Sequence, residues 1–188
     1  MSARSSLPLV AMAHSFVGFA TCVCLLVFFA VGGPFGTIND FGNALFGILS
    51  FALAWLLRTG ASRLSGVLVG LAGLGAALTV VGTVLVVGEI TGYYLAGLWS
   101  SSGFGLIGVW LVGISRPATA LMRRTGLIAG AVMVLGLVGV PGIFRGLDVL
   151  ETAPAWTYLA DFSWAGTYLL FPAWSLGLAW QSRPERVG

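Results

Sequence analysis

The residues able to do chemistry in this chain are few, and most are carboxylates, amides and aromatic rings. Asp40 and Asn43 stand beside Asn39. Glu89 is followed by Thr91, Tyr93 and Tyr94, with Trp99 further on. Trp156, Tyr158, Asp161, Trp164 and Tyr168 form a third group, after Arg145, Asp148 and Glu151. A carboxylate beside aromatic faces attracts a cationic or polar ligand through charge and ring quadrupole. Asp40, Asn43, Glu89, Tyr93, Trp99, Asp161 and Trp164 are therefore the candidate ligand-binding residues. The competing reading is an aromatic belt with solvated loops, which polytopic proteins carry at the membrane interface. Asp40 also suits a helix N-cap, because it precedes an apolar run and would complement the helix dipole.

Other reactive groups are sparse. His14 is the single histidine. It could ligate haem with a second axial partner, relay a proton, or simply hydrogen-bond to a neighbouring helix. No cofactor is expected, and haem through His14 is the minor alternative. Cys22 and Cys24 lie two apart, so on a helix they point in roughly opposite directions and make neither a mutual disulfide nor a CxxC site. No HExxH, GxSxG, P-loop or strand-linked GxGxxG motif occurs. No metal ligand set of Cys and His is available. A serine–histidine pair would require Ser100–Ser102 to meet His14, and the expected layout puts these in opposite leaflets. No catalytic residue and no metal site is assigned. All nine basic residues are arginine. Without lysine there is no Schiff base, which excludes a retinal protein.

Composition dictates the elements that must position these groups. The 188 residues are 58% hydrophobic and 8% charged, with a mean hydropathy of +1.01. A water-soluble domain carries roughly 25% charged residues. Such a surface is stable only against lipid. The 28 glycines fit the same solvent, because glycine lets membrane helices approach closely.

Six apolar stretches cover 8–32, 41–57, 64–88, 92–114, 125–144 and 155–180. Each is near the roughly 20 residues needed to cross a bilayer core. They are too long, and too weakly alternating, for strands. The first exceeds the roughly 7–15 residues of a signal-peptide apolar region and reads as a span. The expectation is one domain, 1–188, an all-α integral membrane bundle of six transmembrane helices. The first half of 92–114 is semi-polar and is expected to face protein or water.

Arginines set the expected orientation. Arg4, Arg58, Arg63, Arg116, Arg123, Arg124, Arg183 and Arg186 fall at one end, and only Arg145 falls at the other, with Asp40, Glu89, Asp148 and Glu151. Basic loops stay inside, which predicts a cell-membrane protein with both termini cytoplasmic. The net charge of +3 sits in short loops and reads as an orientation signal rather than a nucleic-acid surface.

Glycine spacing adds two readings. Gly47 and Arg58 recur at Gly105 and Arg116; Gly66, Gly70 and Gly82 recur at Gly126, Gly130 and Gly142; Gly32 and Gly36 recur at Gly88 and Gly92. These offsets suit three parallel helical-hairpin repeats, with glycine-rich membrane composition as the alternative. The GxxxG pairs Gly66–Gly70 and Gly126–Gly130 give flat faces for packing within the chain or for a homo-oligomer or larger complex; Gly88–Gly92 and Gly142–Gly146 suit turns. Pro172 should kink the sixth span, and Pro141–Gly142 should bend or end the fifth.

Three function classes remain: a ligand-binding or transport component with an outward polar and aromatic pocket, a structural or assembly subunit, and a membrane enzyme with an unfamiliar centre. The non-enzymatic classes are preferred. In size and span count the chain resembles the substrate-binding membrane subunits of energy-coupling importers, a likeness that assigns no residue a role.

Overall fold

The computed structural model describes residues 3–58, 62–116 and 118–182. Arg183 and Arg186 of the expected arginine set lie outside them. The described residues form helices and no strand: α1 (Ala3–Val31), α2 (Phe35–Leu56), α3 (Arg63–Val87), α4 (Tyr93–Ser115), α5 (Ala120–Val134), α6 (Val140–Phe144), α7 (Tyr158–Ala165) and α8 (Phe171–Gln181). A 3-10 segment, Leu135–Gly139, joins α5 to α6, and a π-helical segment, Gly166–Leu170, joins α7 to α8.

Both interruptions are traceable to proline. Pro141 has no N–H and its ring crowds the carbonyl four residues back, so the tighter 3-10 turn precedes it. Pro172 does the same in the last rod. There Phe171 N–H donates to Gly166 O, five residues back, and the expected kink takes the form of a widened turn.

Ser6–Val31, Arg63–Val87, Tyr93–Ser115 and Ala120–Phe144 are each long and apolar enough to cross a bilayer, as in a membrane protein. Their outward side chains agree: Leu9, Phe16, Leu26, Leu64 and Val67 are exposed, a surface that suits lipid. In α4, 61% of the apolar window is buried, against 22–33% in the other three. It is the central helix, as its semi-polar first half suggests.

Close approach to α4 rests on glycine. A Cβ on Gly108 would meet Gly130 O at 2.7 Å, and one on Gly130 would meet Gly108 O at 2.7 Å. Gly75 and Gly103 face each other's carbonyls in the same way between α3 and α4. In lipid, where the surrounding chains are as apolar as leucine, such backbone contact is what holds helices together. Around it pack Phe46, Leu53, Ile107, Trp110, Leu111, Met133, Phe171 and Trp174.

Two boundaries differ from the hydropathy reading. α2 starts at Phe35, not 41, because Gly32 and Gly33 turn the chain at φ 70° and 75° and Pro34 takes the N-cap position. Asp40 is therefore inside a helix and not its cap. α5 starts at Ala120, not 125: Arg123 and Arg124 are helical although they are not apolar. The paired glycines of the supposed repeat also differ. Gly126 and Gly130 pack against α4, whereas a Cβ on Gly66 or Gly70 would meet nothing within 4 Å.

Two ends of the bundle can be named by charge. The acidic end holds the turns at 32–34 and 88–92 and the segment 145–157, the last two tied together where Gly92 N–H donates to Asp148 Oδ2 at 2.9 Å. The arginine end holds exposed Arg58, Arg63, Arg116, Arg123 and Arg124.

Candidate functional site

A cavity of about 380 Å3 opens at the acidic end. That lies within the range of small-molecule sites. Small residues create the space: a Cβ on Gly97 would meet only Trp164 Cζ2, at 3.9 Å, and Gly33 and Gly36 line the opposite side. Aromatic rings form much of the wall, with Phe28 and Phe29 from α1, Tyr93, Tyr94 and Phe104 from α4, and Trp164 from α7.

Five of the seven candidate residues line this cavity: Asp40, Asn43, Tyr93, Asp161 and Trp164. Glu89 and Trp99 do not. Glu89 is exposed in the α3–α4 turn, at φ 53°. Trp99 is two residues from both Gly97 and Ser101, so at about 100° per residue it points away from the side of α4 that lines the cavity.

Asp40 and Asp161 are half-buried, and no arginine lines the cavity with them. Neither carboxylate has an ion-pair partner among the described residues. Thr83 Oγ1 donates to the backbone carbonyl of Asp40 at 2.7 Å, which fixes the backbone and leaves the side chain to the cavity.

The wall behind these carboxylates is a directional amide chain that sequence reasoning missed. Tyr168 O–H donates to Asn43 Oδ1 at 2.7 Å, Asn43 Nδ2 to Asn39 Oδ1 at 3.2 Å, and Asn39 Nδ2 to Thr21 O at 3.0 Å. The chain ties α1, α2 and the π-helical segment into one rigid wall. Each amide uses one N–H here and carries a second. Trp164 is held by its Nε1–H donating to Ser101 Oγ at 2.9 Å, and Tyr94 by its O–H donating to Thr157 Oγ1 at 2.6 Å. The 3.6-residue spacing of Asn39, Asn43, Phe46 and Ser50 was the available signal, since it places all four on one face of α2.

Below the cavity the aromatic packing closes. Phe104 lines the cavity and stands 5.6 Å from Phe46, which stands 5.7 Å from Phe171. Beyond that layer lies His14, fully buried between Phe46 and Phe171, at ring distances of 4.2 and 4.3 Å. Its Nδ1 is 2.8 Å from Ser175 Oγ and its Nε2 is 3.0 Å from Ser50 Oγ. Each hydroxyl also lies within reach of a carbonyl of its own helix, Pro172 O at 2.9 Å and Phe46 O at 2.7 Å, so the serine that faces the unprotonated ring nitrogen has one proton for two acceptors.

A serine–histidine contact across helices thus exists, but with Ser50 and Ser175 rather than Ser100–Ser102. Ser100 and Ser101 line the cavity, and Ser102 Oγ is buried without a partner. Hydrolysis through His14 would need water and substrate at the hydroxyls, and His14, Ser50 and Ser175 have no exposed surface. Haem ligation would need a ring nitrogen that now faces serine.

No protein-family model matches the sequence, and neither a curated protein nor a solved structure matches the chain.

Proposed function

We propose that this chain is a six-span cell-membrane protein, both termini cytoplasmic, whose acidic end faces outward and binds a small amphipathic cation as a binding or transport component. The observation that carries the ligand class is the cavity lining: two carboxylates, several aromatic rings and no basic side chain. A cation with an apolar body gains from both wall types. The four long apolar helices supply four of the spans. α2, with 22 residues, is about 33 Å long and supplies another. Its Asn39 and Asn43 are buried against the bundle, so they cost little toward lipid. The α7–π–α8 rod supplies the sixth. The arginines at the opposite end support the orientation.

Equilibrium binding to the purified protein tests this reading. The probes are phenethylammonium and two molecules of similar shape, neutral phenethyl alcohol and anionic 3-phenylpropanoate. The cation should bind best, and Asp40→Asn and Asp161→Asn should each weaken it about tenfold, or about 1.4 kcal/mol. Equal affinity for the three probes, or preference for the anion, would reject the cationic ligand.

A further inference from the structure

A second depression, of about 420 Å3, lies at the arginine end between α2 and α3. Its lining is of a different kind. Arg58 and Arg63 stand on its rim, with Ser62 and Ser65, while Trp55, Gly66 and Val69 form the rest. No carboxylate is among the lining residues. The Arg58 guanidinium lies 3.9 Å from the centre of the Trp55 ring, which holds the charge at one place. Beyond the charged rim, the face of α3 is bare. Gly66 and Gly70 have nothing within 4 Å of where a Cβ would stand, unlike Gly126 and Gly130, which α4 covers.

We infer that this depression binds an anionic phospholipid, its phosphate between Arg58 and Arg63 and an acyl chain along the bare Gly66–Gly70 face. One guanidinium balances the single negative charge of a phosphodiester, and the fork geometry of both matches its oxygens. The N-terminus of α3 adds positive potential: among the described residues Ser62 Oγ accepts only the Ser65 N–H, at 3.1 Å, so donors of the first turn remain for an anion. Trp55 is half exposed, as an interfacial ring is. The glycines let an acyl chain reach the helix backbone, and Val69 gives it an apolar wall.

Charge also selects lipid over a second copy of the chain. A two-fold dimer through Gly66 and Gly70, with its axis along the membrane normal, would put Arg58 and Arg63 of both copies at the same depth and face like charge with like. An anionic headgroup offsets that charge instead of doubling it. The inference is independent of which side of the membrane this end occupies and of the cavity at the acidic end.

The test is binding by the full chain in detergent of phosphatidylglycerol, phosphatidylcholine and inorganic phosphate, followed by native mass spectrometry. Phosphatidylglycerol should be retained well above phosphatidylcholine. At about fivefold per arginine, Arg58→Gln with Arg63→Gln should weaken it roughly 30-fold. Gly70→Leu, which fills open space and leaves the fold intact, should weaken phosphatidylglycerol and leave inorganic phosphate unchanged. Arg116→Gln with Arg123→Gln, at the same end but outside the depression, should change it less than twofold.

Three results would overturn the inference. Equal loss in the Arg116/Arg123 variant would mean general surface charge. Inorganic phosphate binding as tightly as phosphatidylglycerol would mean a free-anion site. A dimer cross-linked through Gly66→Cys, with no lipid preference, would mean a protein interface.

Discussion

Two buried polar clusters of the molecule are built in opposite ways, and the contrast separates a candidate site from a core. Around His14 every polar atom faces another: imidazole to Ser50 and Ser175, each serine to a carbonyl, with Phe46 and Phe171 closing both sides. At the acidic end the amides are linked to one another, but Asp40 and Asp161 border empty volume. A closed network holds helices in register, and one that opens on a cavity is where a ligand gains. The histidine is the more reactive residue type, yet it is the one sealed from the cavity.

That contrast makes three substitutions informative, in falling order of effect. His14→Ala removes the group that links α1 to α2 and α8 and leaves a void between two phenylalanines. It should cost roughly 2–4 kcal/mol in reversible unfolding in mixed micelles, and leave cation affinity within twofold. A large loss of affinity with unchanged stability would exchange the roles of the two regions. Gly97→Leu should do the reverse. Its side chain enters open volume beside Trp164, so stability should hold within about 0.5 kcal/mol, while phenethylammonium affinity falls at least tenfold. Unchanged binding would show that the ligand lies elsewhere. Glu89→Gln should do least. Glu89 is exposed and outside the cavity lining, so a titration of the variant should match that of the parent; a tenfold loss would extend the site into the α3–α4 turn.

How far each feature could be read from residues follows from what hydropathy encodes. It gives depth, so the apolar runs and the end at which Asp40, Asn43, Tyr93, Asp161 and Trp164 gather were legible. It does not give rotation about the helix axis, and Trp99 was placed at the site although it turns away. It is also blind to helix that is not apolar, which is why the starts of α2 at Phe35 and α5 at Ala120 were read several residues late. Pro172 announced a disturbance, but the π turn that brings Tyr168 to Asn43 is a tertiary outcome. The His14 cluster joins residues 36 and 161 positions apart, a distance that no local pattern bridges.

The most direct measurement is thiol labelling from water in a chain whose Cys22 and Cys24 have been replaced. Ser100→Cys places a thiol in the cavity wall, and Ser50→Cys places one in the sealed cluster, with nearly the same volume as serine in each case. A small cationic methanethiosulfonate should modify Ser100→Cys readily, faster than its anionic counterpart does, and should leave Ser50→Cys unmodified in the folded protein. Comparable labelling at the two positions, or none at Ser100→Cys, would contradict the division into an open site and a closed core.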